Sequence, residues 1–143
     1  MRQHGPIILI DDDLDDQEIM QEVLRGLNIH NPLLFFKNGK DAETYLRTTP
    51  HLPFLILCDI NIPEVNGLEF KKQIDADEEL RNKSIPFVFF STSTSQNDIQ
   101  EAYTQMTVQG FFKKEHSLTE LKKTLTAIME YWRLCKHPNS LFN

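Results

Sequence analysis

Phe54-Leu55-Ile56-Leu57-Cys58-Asp59-Ile60-Asn61-Ile62-Pro63-Glu64-Val65-Asn66-Gly67 is the stretch that decides the fold. Five apolar residues in a row end on one carboxylate, and a proline and a glycine follow within eight residues. A strand with one wet face alternates apolar and polar side chains, whereas a strand covered on both faces has no need to. Four other short runs have the same unbroken character: Ile7 to Ile10, Leu33 to Phe36, Phe87 to Phe90 and Phe111 to Phe112.

Between these runs the spacing becomes helical. Met20, Val23, Leu24 and Leu27 fall at i, i+3, i+4 and i+7, as do Ile99, Ala102, Tyr103 and Met106. The last helix carries an apolar face of Leu118, Leu121, Leu125, Ile128, Met129 and Trp132, and Ser117-Leu118-Thr119-Glu120 offers a capping box at its start. Five strands alternating with five helices predict an α/β fold, a five-stranded parallel sheet doubly wound with helices on both faces through right-handed crossovers. One domain is expected over residues 1–143, with a core of about 6–130 and a C-terminal extension of about 131–143 in which Pro138 ends any helix.

The composition, 40% hydrophobic and 25% charged with 5 Gly and 7 Pro, is that of an ordinary globular chain. A formal charge of −6 and the lack of a basic stripe argue against nucleic-acid binding. No apolar run approaches the length of a membrane span, and the apolar stretch after Met1 to Gly5 is too short for a signal peptide's core, so a cytoplasmic protein without a membrane role is expected. Cys58 and Cys135 belong to no metal-binding spacing and read as reduced thiols.

Ligands of open parallel sheets bind at the carboxyl ends of the strands. There the first strand delivers Asp11-Asp12-Asp13, the third Asp59, the fourth Ser91-Thr92 and the fifth Lys113-Lys114. Carboxylates gathered at one sheet edge repel one another unless a hard cation or a lysine compensates them. Mg²⁺ suits such a site, since it takes one or two carboxylates and leaves room for water and phosphate oxygens. Ser91 and Lys114 could then contact a phosphoryl group on the central carboxylate.

These residues resemble the CheY-like receiver family of bacterial two-component signalling over about residues 6 to 130. The matching features are the strand entering Asp11-Asp12, the D-x-x-x-P-x-x-x-G run from Asp59 to Gly67, Phe87-Val88-Phe89-Phe90 leading to Ser91, Gly110-Phe111-Phe112-Lys113-Lys114, and the helix opening Asn38-Gly39-Lys40-Asp41-Ala42. The resemblance implies a (βα)5 flavodoxin-like fold and a stand-alone response regulator with no catalytic turnover beyond its own phosphorylation and dephosphorylation. It implies Asp59 as phosphoacceptor, Asp11, Asp12, Asp59 and the Asn61 carbonyl as Mg²⁺ ligands, Ser91 and Lys114 as partners of the phosphoryl group, and Phe111 as the aromatic switch. It also implies a sensor histidine kinase or phosphotransfer protein as partner. The ending Tyr131-Trp132 with Pro138 resembles small receivers that pair with phytochrome histidine kinases. Glu115 departs from the family's proline after the lysine, which often follows a cis peptide, so the loop there is expected to differ.

Plainer readings apply to several residues. Asp13, Asp15 and Asp16 read as a solvated run at a helix N-terminus, Thr92 to Ser95 as loop and cap chemistry, and His4, His30, His51, His116 and His137 as surface residues. Tyr131 and Trp132 read as helix packing, although such a pair can also seed a homodimer. An EF-hand starting at Asp11 fails because Asp16 replaces the turn glycine and a strand precedes the loop. The rival function is a haloacid-dehalogenase-type Mg²⁺-dependent phosphatase with Asp11 and Asp13 as nucleophile and acid/base.

Overall fold

The protein is described by a computed structural model at residues 5–92 and 95–139. The chain runs β1 (Ile7–Ile10), α1 (Leu14–Gly26), β2 (Leu33–Phe36), α2 (Gly39–Thr48), β3 (Leu55–Cys58), α3 (Gly67–Ala76), α4 (Glu78–Asn82), β4 (Phe87–Ser91), α5 (Gln96–Gln105), β5 (Gly110–Lys113) and α6 (Leu118–Leu134). The strands form one parallel sheet in the order β2-β1-β3-β4-β5. This is a parallel sheet wound on both faces, as the unbroken apolar runs predict, and its order is that of the (βα)5 flavodoxin-like fold that the resemblance implies.

Those runs are unbroken because successive side chains enter two different cores. Ile7, Leu9, Leu55, Leu57, Val88 and Phe90 face a core closed by α1 and α6. Ile8, Ile10, Ile56, Cys58, Phe87 and Phe89 face the other, closed by residues of α2, α3 and α5 and by Leu80 of α4. Side chains at the N-caps start the helices: Asp13, Asn38, Asn66, Asp77, Ser95 and Ser117 each accept an amide N–H of the first turn.

Several expectations are corrected. There are six helices among the described residues rather than five, because α4 fills the link between α3 and β4. Phe54 lies just before β3, although it is buried. Leu118 opens α6 and is largely exposed, and Tyr103 is exposed on α5, of which only Ala102 is buried. His30, His51 and His116 are at the surface, but His137 is 3% exposed. Its ring stacks on Phe54 at 5.1 Å, Nε2–H donates to the Phe54 carbonyl at 2.7 Å, and Nδ1 accepts the Asn139 N–H at 3.2 Å. The segment after α6 is thereby tied to the start of β3. His4, Ser93 and Thr94 lie outside the described residues.

Candidate functional site

At the carboxyl edge of the sheet, β1, β3, β4 and β5 bring Asp11, Asp59, Ser91 and Lys114 together. Asp11 and Asp59 each follow their strand by one residue, and the Asp59 N–H donates to the Ile10 carbonyl at 2.9 Å, so the two carboxylates emerge side by side. Ser91 pairs with Lys113 in the sheet register, and the Lys114 N–H extends the ladder to the Ser91 carbonyl at 2.8 Å. Alternation therefore sends Lys113 outward, where it is exposed, and Lys114 inward, where it is buried. Of the two lysines, only Lys114 reaches the aspartates.

Its ammonium contacts Asp11 Oδ2, Asp16 Oδ2 at 3.0 Å and Asp59 Oδ2 at 3.2 Å. The other Asp59 oxygen, Oδ1, accepts the Ser91 hydroxyl at 2.7 Å and the Asn61 N–H at 3.2 Å. Burial by itself pulls the Lys114 pKa down, but the hydrogen bond to Asp11 and the charges of Asp59 and Asp11 outweigh it, so the net shift is upward and the lysine stays a cation. For Asp11, burial raises the pKa by more than the Lys114 and Asp13 N–H hydrogen bonds lower it. The Lys114 ammonium does not fully offset the cost of burying this carboxylate.

The loop after β3 is shaped by a close approach. A Cβ on Gly67 would lie 2.4 Å from the Asp59 carbonyl oxygen and 3.0 Å from Ile60 Cα, and the Gly67 N–H donates to the Ile60 carbonyl at 2.8 Å. The φ of Gly67 is not positive, so the glycine is required for space rather than for backbone angle. This explains the last position of the run from Asp59 to Gly67: the first turn of α3 rests directly on the backbone that carries Asp59 and Asn61.

The donors suit a hard cation. They are oxygens, two of the carboxylates are buried around an ammonium that already responds to their negative field, and Asp12 is exposed with no hydrogen bond or ion pair among the described residues. No three His, Cys, Asp or Glu side chains form a metal-holding cluster among the described residues, yet Mg²⁺ needs only one or two carboxylates with waters. Asp11, Asp12 and Asp59, with the Asn61 carbonyl that the resemblance implies, could hold it.

Phe111 is half-buried and packs on Phe89 at 5.7 Å between ring centroids. The Lys114–Glu115 peptide is trans, like every peptide among the described residues. Asp13 is the N-cap of α1, accepting the N–H groups of Asp15 at 2.9 Å and Asp16 at 3.2 Å, as a helix-terminal aspartate should. Asp16, expected to be solvated, instead pairs with Lys114. The sequence held a signal for this, since Asp16 lies four residues before Met20 and continues the buried stripe of Met20, Val23 and Leu24 toward the strand ends.

Residues 7–126 match the response regulator receiver domain family, and the chain belongs to it. It is a receiver domain of two-component signalling, a phosphoacceptor signalling module rather than a classical enzyme. Among its relatives, the probable methanogenesis regulatory protein FilR2 of Methanothrix harundinacea is 33% identical over 130 residues, covering 88% of this chain and 82% of that protein. The response regulator Rcp1 of Synechocystis is 30% identical over 132 residues, covering 88% and 87%. The phosphorylated cyanobacterial phytochrome response regulator RcpA superposes with a TM-score of 0.85 at 30% identity, covering 95% of this chain and 99% of that one. The Mn²⁺-bound form of Rcp1 gives 0.81 at 28% identity, covering 93% and 98%. No helix among the described residues is long and apolar enough to cross a membrane.

Proposed function

We propose that the chain acts as a single-domain, stand-alone response regulator that accepts a phosphoryl group on Asp59 from a sensor histidine kinase or phosphotransfer protein, in a Mg²⁺-dependent reaction. The observation that carries this reading is the way three donors converge on Asp59: Lys114 on Oδ2, and Ser91 and the Asn61 N–H on Oδ1. The extent of similarity to Rcp1 supports the stand-alone assignment.

A carboxylate oxygen of Asp59 forms the new bond to phosphorus while the bond from phosphorus to the donor's imidazole nitrogen breaks, and the bonding electrons leave with that nitrogen. Asp11, Asp12, Asp59 and the Asn61 carbonyl would hold a divalent cation, which would supply positive charge to the phosphoryl oxygens. The chain's own residues position the carboxylate. Gly67 lets α3 brace its backbone, Lys114 offers a permanent cation to a phosphoryl oxygen, and Ser91 offers a hydroxyl.

The same hydroxyl is the proposed switch. Moving from Asp59 Oδ1 to a phosphoryl oxygen, it vacates space beside β5, and Phe111 rotates inward from its half-buried position against Phe89. The surface of α5, β5 and α6 then changes shape. The similarity to RcpA supports a phytochrome-type kinase as the partner. The phosphatase alternative is weaker, because its acid/base residue would be Asp13, whose carboxylate caps α1. Incubation with acetyl phosphate tests the reading: an acid-stable, base-labile acyl phosphate should form with Mg²⁺ and fail to form with a chelator. Equal labelling in both would refute the Mg²⁺ dependence.

A further inference from the structure

Lys114 has three N–H donors on its ammonium and meets three carboxylates. Two of them, Asp11 and Asp59, are assigned above to the metal and the phosphoryl group. The third is Asp16, to which no such role falls. The partners differ in exposure: the side chain of Asp16 is 32% exposed, against 6% for Asp11 and 10% for Asp59. Asp16 sits on the first turn of α1, held by an N-cap aspartate whose carboxylate accepts its N–H, so its place is fixed by the helix rather than by the lysine.

A divalent cation entering between Asp11 and Asp59 would meet the ammonium already there, and two cations cannot share that space without repulsion. The lysine must lean elsewhere, and burial leaves it only a charged partner as a stable resting place. We propose that Asp16 is a positioning residue that holds the Lys114 ammonium when the Asp11–Asp59 pair turns to the divalent cation, so that cation and lysine occupy the site together. Without Asp16 the ammonium rests wholly on Asp11 and Asp59 and competes with the metal. Asp16 touches neither metal nor phosphoryl group and acts through Lys114 alone.

The inference rests on the metal site described above, and Mn²⁺ separates the two. Mn²⁺ is titrated into the full chain, with free Mn²⁺ read by electron paramagnetic resonance. Asp16→Asn should weaken binding about fivefold, the order expected of a partly exposed ion pair, whereas Asp16→Glu should retain most of the affinity. The decisive comparison is in a Lys114→Gln background, where Asp16→Asn should change Mn²⁺ affinity little because no ammonium remains to be held. Equal weakening with and without Lys114 would mean that Asp16 contributes only its charge, and this would overturn the proposal. So would native affinity in Asp16→Asn. Native chain that binds no Mn²⁺, or that binds it undiminished in Asp12→Ala, would overturn the metal site itself and the inference with it.

Discussion

Gly67→Ala tests how the phosphoacceptor loop is held. The added methyl would lie 2.4 Å from the Asp59 carbonyl oxygen, where ordinary contact begins at 3.4 Å, and both nearest neighbours are backbone atoms. Neither can rotate away, so the first turn of α3 must retreat by about 1 Å and loosen the Gly67 N–H bond to the Ile60 carbonyl. Overpacking of this kind costs about 1–3 kcal/mol, and a weakened backbone hydrogen bond adds about 1 kcal/mol. Replacing glycine returns roughly 0.4–1 kcal/mol through the unfolded chain. The net loss should be about 1–4 kcal/mol in urea unfolding. Because a displacement of 1 Å at a reacting group can slow a reaction by about 100-fold, phosphorylation by acetyl phosphate should fall by more than the loss of folded protein explains. A variant with native stability and native labelling rate would show that α3 does not brace Asp59.

Other perturbations follow from the same contacts. Ser91→Ala should still accept the phosphoryl group but lose most of the hydrogen-exchange change over residues 92–116 that beryllofluoride induces in the native chain; an unchanged difference would exclude the hydroxyl as the link. Added Mg²⁺ should raise the thermal midpoint of the native chain, by about 2.7 kcal/mol of stability at a hundredfold excess over Kd, and should raise that of Asp12→Ala much less. Burial lowers the pKa of His137 below 6.5 in the folded chain, more than its bond to the Phe54 carbonyl raises it. The unfolded state therefore binds the extra proton, and stability held by the neutral ring is complete above pH ~6.5 and falls as the pH drops toward the folded value. His137→Gln should flatten the pH dependence of urea unfolding in that window, and an unaltered slope would contradict the buried neutral ring.

The sheet was legible because both its faces are covered, which turns each strand into an unbroken apolar run. The order of strand-end residues placed Asp11, Asp59 and Ser91 beside the Lys113-Lys114 pair, and the resemblance picked out Lys114. What could not be read depends on contacts distant in sequence. Helix α4 has five residues and one buried side chain, Leu80, too little to show a period. Lys71 is a buried cation at 5% exposure because Asp75, one turn away, and Thr107, from the loop before β5, share its ammonium. Nothing near Lys71 in sequence announces Thr107. His137 is buried by Phe54, 83 positions away. The signal at Asp16, its place on the buried stripe of α1, is masked for another reason: an acidic residue in the first turn of a helix already has a sufficient local explanation.

The most direct test of the central claim is to find the phosphorylated residue. The native chain and Asp59→Asn are treated with acetyl phosphate and Mg²⁺, the acyl phosphate is trapped by borohydride reduction, and the modified residue is located by peptide mass spectrometry. The modification should fall on Asp59 alone in the native chain and be lost in Asp59→Asn. Modification of Asp11 or Asp13, or undiminished labelling of the variant, would contradict Asp59 as the phosphoacceptor.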